Sequence, residues 1–226
     1  MPLKSDAPTE ITAFRWVPDF AQGLVRDLRL RWAMEEIGRD YRVRLLNALK
    51  PRPEEYFHEQ PFGQVPFYKD DEVELFESGA ILIHLGLQDE RLLPTDHAPR
   101  MRAIAWTIAA LNSIEPVLLM LISLDVFIKD KEAAKRIRPE VVERLAGRLK
   151  NLSEALGDRD WLEGRFTIAD LMMIAVLRQL RGKSTIAQFP NLMAYVERGE
   201  ARPAFRQALA DQLQTFKENE PEPEPA

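Results

Sequence analysis

The sequence predicts an α/β segment of order β-α-β-α-β-β-α at residues 11–86, followed by an all-helical segment at residues 100–216. Three observations carry that assignment. Two short runs rich in β-forming residues, at 11–16 and 41–46, flank a stretch with helical apolar spacing at 24–37. Two further short apolar runs meet at the acidic turn Asp70-Asp71 and lead into an apolar helix opening at Glu77-Ser78. Beyond residue 100 no strand pattern recurs, and the run at 168–180 is apolar nearly all round, as a buried bundle helix must be.

Taken in order, residues 1–10 carry no apolar run, do not read as a signal peptide and are expected to form a flexible leader. Val17-Pro18-Asp19 breaks the first strand. The helix at 24–37 carries Leu24, Leu28, Leu30, Trp32, Met34 and Ile37, an imperfect stripe to which Ala33 adds, and Gly38 stops it. Strand, helix, strand implies a right-handed unit with parallel strands. Pro51 and Pro53 make 47–59 a loop with a short turn of helix. Pro66 cannot donate a ladder hydrogen bond and so belongs at the start or edge of its strand. Residues 87–99 read as a linker. Helices follow at 100–127, bent or split at Pro116, and at 139–156, where Pro139 suits the first turn and Val142, Leu145, Leu149, Leu152 and Leu156 share a stripe. Thr167 and Asp170 form an Asp version of the capping box before the apolar helix. Further helices are expected at 191–199 and 203–216. Residues 217–226, acidic and Pro-rich, cannot bury anything and are expected to be disordered.

Composition narrows the chemistry. The net charge of −5 gives no global attraction to nucleic acid or to acidic membranes. With no cysteine, disulfides, thiolate catalysis and Cys-ligated metals are excluded. His58, His84 and His97 lack ligand-like spacing, so no metal site is expected, and no Gly-rich phosphate loop is present. The apolar run at 114–128 is interrupted by Glu115, Pro116 and Asp125, and reads as too short and too charged to span a membrane. Tyr41, Tyr56, Tyr68 and Tyr195 are expected to pack.

The corner Gly63-Gln64-Val65-Pro66 and the pair Glu77-Ser78 stand out chemically. Val65 precedes a strand that begins with proline, so its main-chain groups are candidates to pair with an extended peptide. Ser78 lies at a helix N-terminus, where free amides and the dipole favour an anion and the hydroxyl can donate to a carboxylate. Glu77 can take an ammonium. Gln64 adjoins the same corner. The alternatives for these residues are turn geometry and helix capping.

With Glu77-Ser78-Gly79-Ala80-Ile81, Phe166-Thr167-Ile168-Ala169-Asp170 and Trp32-Ala33-Met34-Glu35-Glu36-Ile37-Gly38, that corner makes the chain resemble a soluble, bacterial-like glutathione transferase over about residues 11–215. The resemblance implies a thioredoxin-like N-terminal domain, an all-α C-terminal domain, a cis bond before Pro66, glutathione as co-substrate, a small hydrophobic electrophile, and a cytoplasmic homodimer. It implies that Val65 pairs with the cysteinyl part of glutathione and that Glu77 and Ser78 hold its γ-glutamyl end. Lys50 and Arg52 are candidates to meet its glycyl carboxylate, against ordinary solubilising charge. The family usually places Tyr, Ser or Cys just after the first strand, whereas residues 14–26 here contain none of these, nor Thr. Trp16, Gln22 and Arg26 are the candidate groups about the sulfur, because a cationic or amide environment favours a thiolate. The second substrate is expected near Trp106, Leu111 and Asn112. The sequence leaves three readings: a transferase, a glutathione-binding protein without turnover, and a purely structural domain pair, against which the intact corner argues.

Overall fold

A computed structural model describes residues 2–221 of the chain. Its order is β1 (Thr9–Phe14), α1 (Asp27–Ile37), β2 (Tyr41–Leu46), α2 (Tyr56–Glu59), β3 (Phe67–Lys69), β4 (Glu74–Phe76) and α3 (Ser78–Gln88), then helices only. These are α4 (His97–Ala109), α5 (Glu115–Ile122), α6 (Lys131–Leu156), α7 (Ile168–Leu177), α8 (Ser184–Ala187), α9 (Pro190–Glu200) and α10 (Pro203–Glu218). The N-terminal part is a thioredoxin-like β-α-β-α-β-β-α domain and the part that follows is all-α. The four strands run β2-β1-β3-β4, with β1 parallel to β2 from Thr9 opposite Tyr41 to Phe14 opposite Leu46. The other two pairings are antiparallel, and Phe67 opposes Phe76.

The described chain forms two compact units, one up to Leu92 together with the residues from Ala201 onward, the other from Leu93 to Glu200. In the first unit α1 packs against both α3 and α10. Apolar Leu28, Leu30, Trp32, Ala33 and Met34 are buried, and so are Asp27, Arg29 and Arg31. A helix covered on two sides needs no clean amphipathic stripe, which explains its imperfect pattern.

Several elements differ from the sequence expectation for identifiable reasons. The leader docks along the sheet edge: Leu3 bridges Tyr41, and the Lys4 N–H donates to the Tyr41 carbonyl at 2.8 Å. The first helix begins at Asp27 because Gly23, at φ 72°, ends the preceding 3-10 turn (Asp19–Ala21) in a conformation that favours glycine. Pro139 lies inside α6, which starts more than two turns earlier, where the Asp130 carboxylate accepts from the Ala133 N–H at 2.9 Å. The carbonyl that Pro139 leaves unpaired belongs to Lys135, which is exposed to water. α10 extends to Glu218, past the start of the expected tail, of which residues 222–226 lie outside the described residues.

In the second unit α4 continues through a π-helical turn (Ala110–Ile114) into α5, and a second such turn (Ser123–Phe127) follows. The first turn sits just before Pro116, where a regular helix would lose a hydrogen bond and clash with the carbonyl four residues back. By length and apolarity His97–Phe127 could cross a membrane, a test that core helices of soluble bundles also pass. Here α4 and α5 pack against α7 and α6, burying Ala103, Thr107, Leu118 and Leu121. α7 is buried along its length and opens with the expected capping box: the Thr167 hydroxyl accepts from the Ala169 N–H, and Asp170 accepts from the Thr167 N–H at 2.9 Å.

Candidate functional site

The corner between α2 and β3 is built around Gly63. At φ 64° it adopts a conformation that favours glycine, and a β-carbon there would stand 3.0 Å from the Phe57 ring. The Val65-Pro66 bond that follows is cis. Val65 is buried with Leu46, Tyr56 and Phe67, flanked by Phe14 and Val25.

The main-chain groups of this corner are held one by one. Gln60 accepts from the N–H groups of Phe62 at 2.7 Å, Gly63 at 2.9 Å and Gln64 at 3.2 Å, through its side chain and carbonyl. The Gly63 carbonyl accepts from Arg52 Nε at 3.0 Å. The Gln64 carbonyl accepts from Tyr56 Oη at 2.7 Å, and the Phe67 N–H donates to Thr12 Oγ1 at 2.8 Å. Burial raises the Tyr56 phenol pKa above its usual value, against a lowering hydrogen bond from Thr12. Among the described residues, neither the N–H nor the C=O of Val65 has a partner. Nearly all buried main-chain groups are paired, so an unpaired donor and acceptor on one residue stand out.

Ser78 opens the eleven-residue helix α3 and is buried. Its Oγ accepts from Nη1 of Arg29 on α1 at 3.1 Å. A guanidinium only donates, so the hydroxyl hydrogen of Ser78 is left to point elsewhere. Glu77, immediately before it, is the one non-glycine residue at positive φ among the described residues, at φ 70°. Such a backbone costs about 1–3 kcal/mol.

The remaining candidates are placed differently. Arg52 is spent on the loop: besides Gly63 it donates to the carbonyls of Asn47 and Lys50, and its guanidinium lies 4.7 Å from the Phe14 ring centre. Lys50 is exposed. Gln22 Nε2 donates to the Val17 carbonyl and to Asp19, both at 3.2 Å, bracing its own turn. Arg26 reaches Gln64 Oε1 at 3.4 Å, joining the start of α1 to the corner. Trp16 lines a cavity of about 310 Å³ with Arg15, Asn47, Leu49 and residues 219–221, and that lining includes none of Gln64, Val65, Glu77 or Ser78. In the second unit Trp106 lines a cavity of about 170 Å³ with Ile114, Arg148, Leu152 and Met173, Leu111 is half-buried, and Asn112 is exposed.

Sequence reasoning gave Tyr56 only a packing role and passed over Thr12 and Arg29. Thr12 meets its partners 44 and 55 residues away and Arg29 meets Ser78 49 residues away, beyond any local pattern, while the Tyr56 hydroxyl spans 8 residues to Gln64 and 44 to Thr12.

Residues 21–86 match the family model for the N-terminal domain of glutathione S-transferases, and residues 120–212 match that for their C-terminal domain. A glutathione S-transferase of Arabidopsis thaliana, F14, is 32% identical over 161 residues, covering 64% of this chain and 62% of that relative's length. Another, from Hyoscyamus muticus, is 30% identical over 162 residues, 66% of this chain and 75% of the relative. Among solved structures, a glutathione transferase of Burkholderia graminis with two glutathione molecules bound per subunit superposes with a TM-score of 0.77 at 26% identity, over 89% of this chain and 87% of that one.

Proposed function

The chain belongs to the glutathione S-transferase family, and on that premise we propose that it binds glutathione and directs the thiolate at a small apolar electrophile. The unpaired N–H and C=O of Val65 carry this reading, for they offer one antiparallel pair of hydrogen bonds to the cysteinyl residue of an extended tripeptide. Ser78, its oxygen occupied by Arg29, donates its hydrogen to the γ-glutamyl carboxylate at the positive end of α3. Glu77 takes the γ-glutamyl ammonium, and Gln64, reached by Arg26, adjoins Val65 at the corner. Lys50, exposed on the preceding loop, meets the glycyl carboxylate, while Arg52 holds that loop in shape. Trp16 borders the sulfur, and the field of Arg26 and of main-chain amides favours the thiolate over the thiol. The chemistry then rests on orientation and local positive potential, because residues 14–26 offer no hydroxyl or thiol. The relatives' bound glutathione and the shared domain pair support the reading.

A second reading is a glutathione-binding protein without turnover. It is favoured by the commitment of Gln22 to its own turn, which removes one of three candidate activating groups. Retention on immobilised glutathione, followed by titration of the bound thiol, separates the two. A thiol pKa well below that of free glutathione supports catalysis, and turnover of aryl halides, epoxides or peroxides then identifies the electrophile. An unshifted pKa supports binding alone. Failure to be retained sinks both. The same reading makes the protein a cytoplasmic homodimer; the exposed, edge-to-face pair Phe62 and Phe76, 6.3 Å apart, is a surface suited to a partner chain, and elution at the mass of one chain would refute it.

A further inference from the structure

The hydroxyls of Thr12 and Tyr56 are both fully buried, and they form a hydrogen-bond chain whose direction is forced. The Gln64 carbonyl has no hydrogen, so Tyr56 must donate to it across their 2.7 Å contact. A phenol has a single hydrogen. Across the 2.8 Å contact between the two hydroxyls, Thr12 is therefore the donor. Thr12 Oγ1 in turn accepts from the Phe67 N–H. The chain runs from the Phe67 N–H through Thr12 and Tyr56 to the Gln64 carbonyl, and its two ends bracket Val65-Pro66.

This arrangement has a consequence for the bracketed residue. A main-chain N–H and C=O without partners give the segment every incentive to swing until it finds some within the protein. Clamps immediately before and after Val65-Pro66 prevent that swing and leave the pair without a partner inside the protein. An apolar pair of the same shape would fill the core equally well but would leave the clamps off. We propose that Thr12 and Tyr56 are positioning residues that hold Val65 ready to pair with the peptide ligand. This rests on the glutathione-binding reading above, and it adds two residues that touch no ligand.

The test compares Thr12→Val, Tyr56→Phe, the double variant and Thr12→Ser, using glutathione affinity by calorimetry and steady-state kinetics on the full chain. Each of the first two removes two hydrogen bonds of the chain and should weaken glutathione binding and raise its KM about five- to tenfold. kcat at saturation and the KM for the electrophile should move less than about twofold. The double variant should lose less than the two single effects combined, because the Thr12–Tyr56 hydrogen bond is already lost in each single one. Thr12→Ser keeps the hydroxyl and should bind like the wild type. Thr12→Val and Tyr56→Phe binding glutathione as the wild type does would overturn the proposal. So would losses that add in the double variant, or that fall equally on kcat and both KM values. Wild-type protein that ignores glutathione would instead remove the reading beneath, and this proposal with it.

Discussion

At the scale of single residues, Glu77 carries a backbone cost. Its φ of 70° suits glycine, yet the sequence places a carboxylate there, directly before Ser78. Glu77→Gly removes the backbone strain, about 1–3 kcal/mol, and adds the entropy cost of glycine, about 0.5–1 kcal/mol. The expected outcome is a melting temperature equal to or above that of the wild type, with glutathione binding weakened at least about tenfold through the lost charge-assisted hydrogen bond. A calorimetric scan and a binding titration check the two halves separately, and a clear fall in melting temperature would refute the strain argument. The residues at this scale divide by sequence distance. Gly63, Pro66 and the Glu77-Ser78 pair announce themselves because their geometry is fixed by neighbours. Arg29, Thr12 and Tyr56 do not, because a buried hydrogen bond between distant segments leaves no periodic mark in either one.

At the scale of elements, two local devices differ in how they respond to change. The capping box before α7 was legible because its two partners are three residues apart. Structure adds that Asp170 also accepts from the Leu162 N–H and the Tyr195 hydroxyl, both at 2.8 Å, so the cap anchors a loop and α9 as well. Thr167→Ala should lower stability by about 0.5–2 kcal/mol in denaturant unfolding, the usual worth of an N-cap hydroxyl. Pro139 misled because proline marks a first turn more often than a helix interior, and only the cap at Asp130 reveals the true start. In the β3–β4 hairpin, Asp70 accepts from Tyr68, His84 and the N–H groups of Glu72 and Val73. Burial alone would raise its pKa, but these hydrogen bonds, His84 first, hold the carboxyl far below the usual range. A depressed folded pKa contributes stability that is complete above the ordinary carboxylate range and is lost as pH falls toward the folded value. Asp70→Asn should therefore be less stable than the wild type at neutral pH, and the gap should narrow steadily below about pH 4. Parallel acid-dependent melting curves would refute the role.

At the scale of the whole described chain, the least legible feature was where the last helix goes. The apolar spacing of 203–216 declares a helix but not its partner, and sequence order alone assigned it to the helical domain. In the structure α10 packs on α1: Phe205 meets Trp32 edge-to-face at 4.9 Å, Arg202 pairs with Glu36 at 2.6 and 2.7 Å, and Gln212 donates to buried Asp27 at 2.8 Å. This contact brings two acids together, Glu35 on α1 and Asp211 on α10. Desolvation, and next the nearby charge of Asp211, push Glu35 up to about 7, against an opposing pull from Arg31. Burial likewise raises Asp211, although Gln207 donates to it at 2.8 Å. A raised folded pKa contributes stability that is fully present below the ordinary carboxylate range and disappears as pH rises through the folded value. Between about pH 4.5 and 7 the wild type should accordingly lose stability, because the unfolded chain ionises Glu35 while the folded α1–α10 contact still holds its proton. Glu35→Gln keeps the size of the side chain and abolishes the charge. Its melting temperature should match that of the wild type near pH 5 and exceed it at pH 8. The excess should shrink in Glu35→Gln/Asp211→Asn relative to Asp211→Asn alone, because much of the repulsion comes from that one partner. Melting curves across this range decide the matter, and a variant that is less stable than the wild type at pH 8 would show that Glu35 serves the contact as an anion.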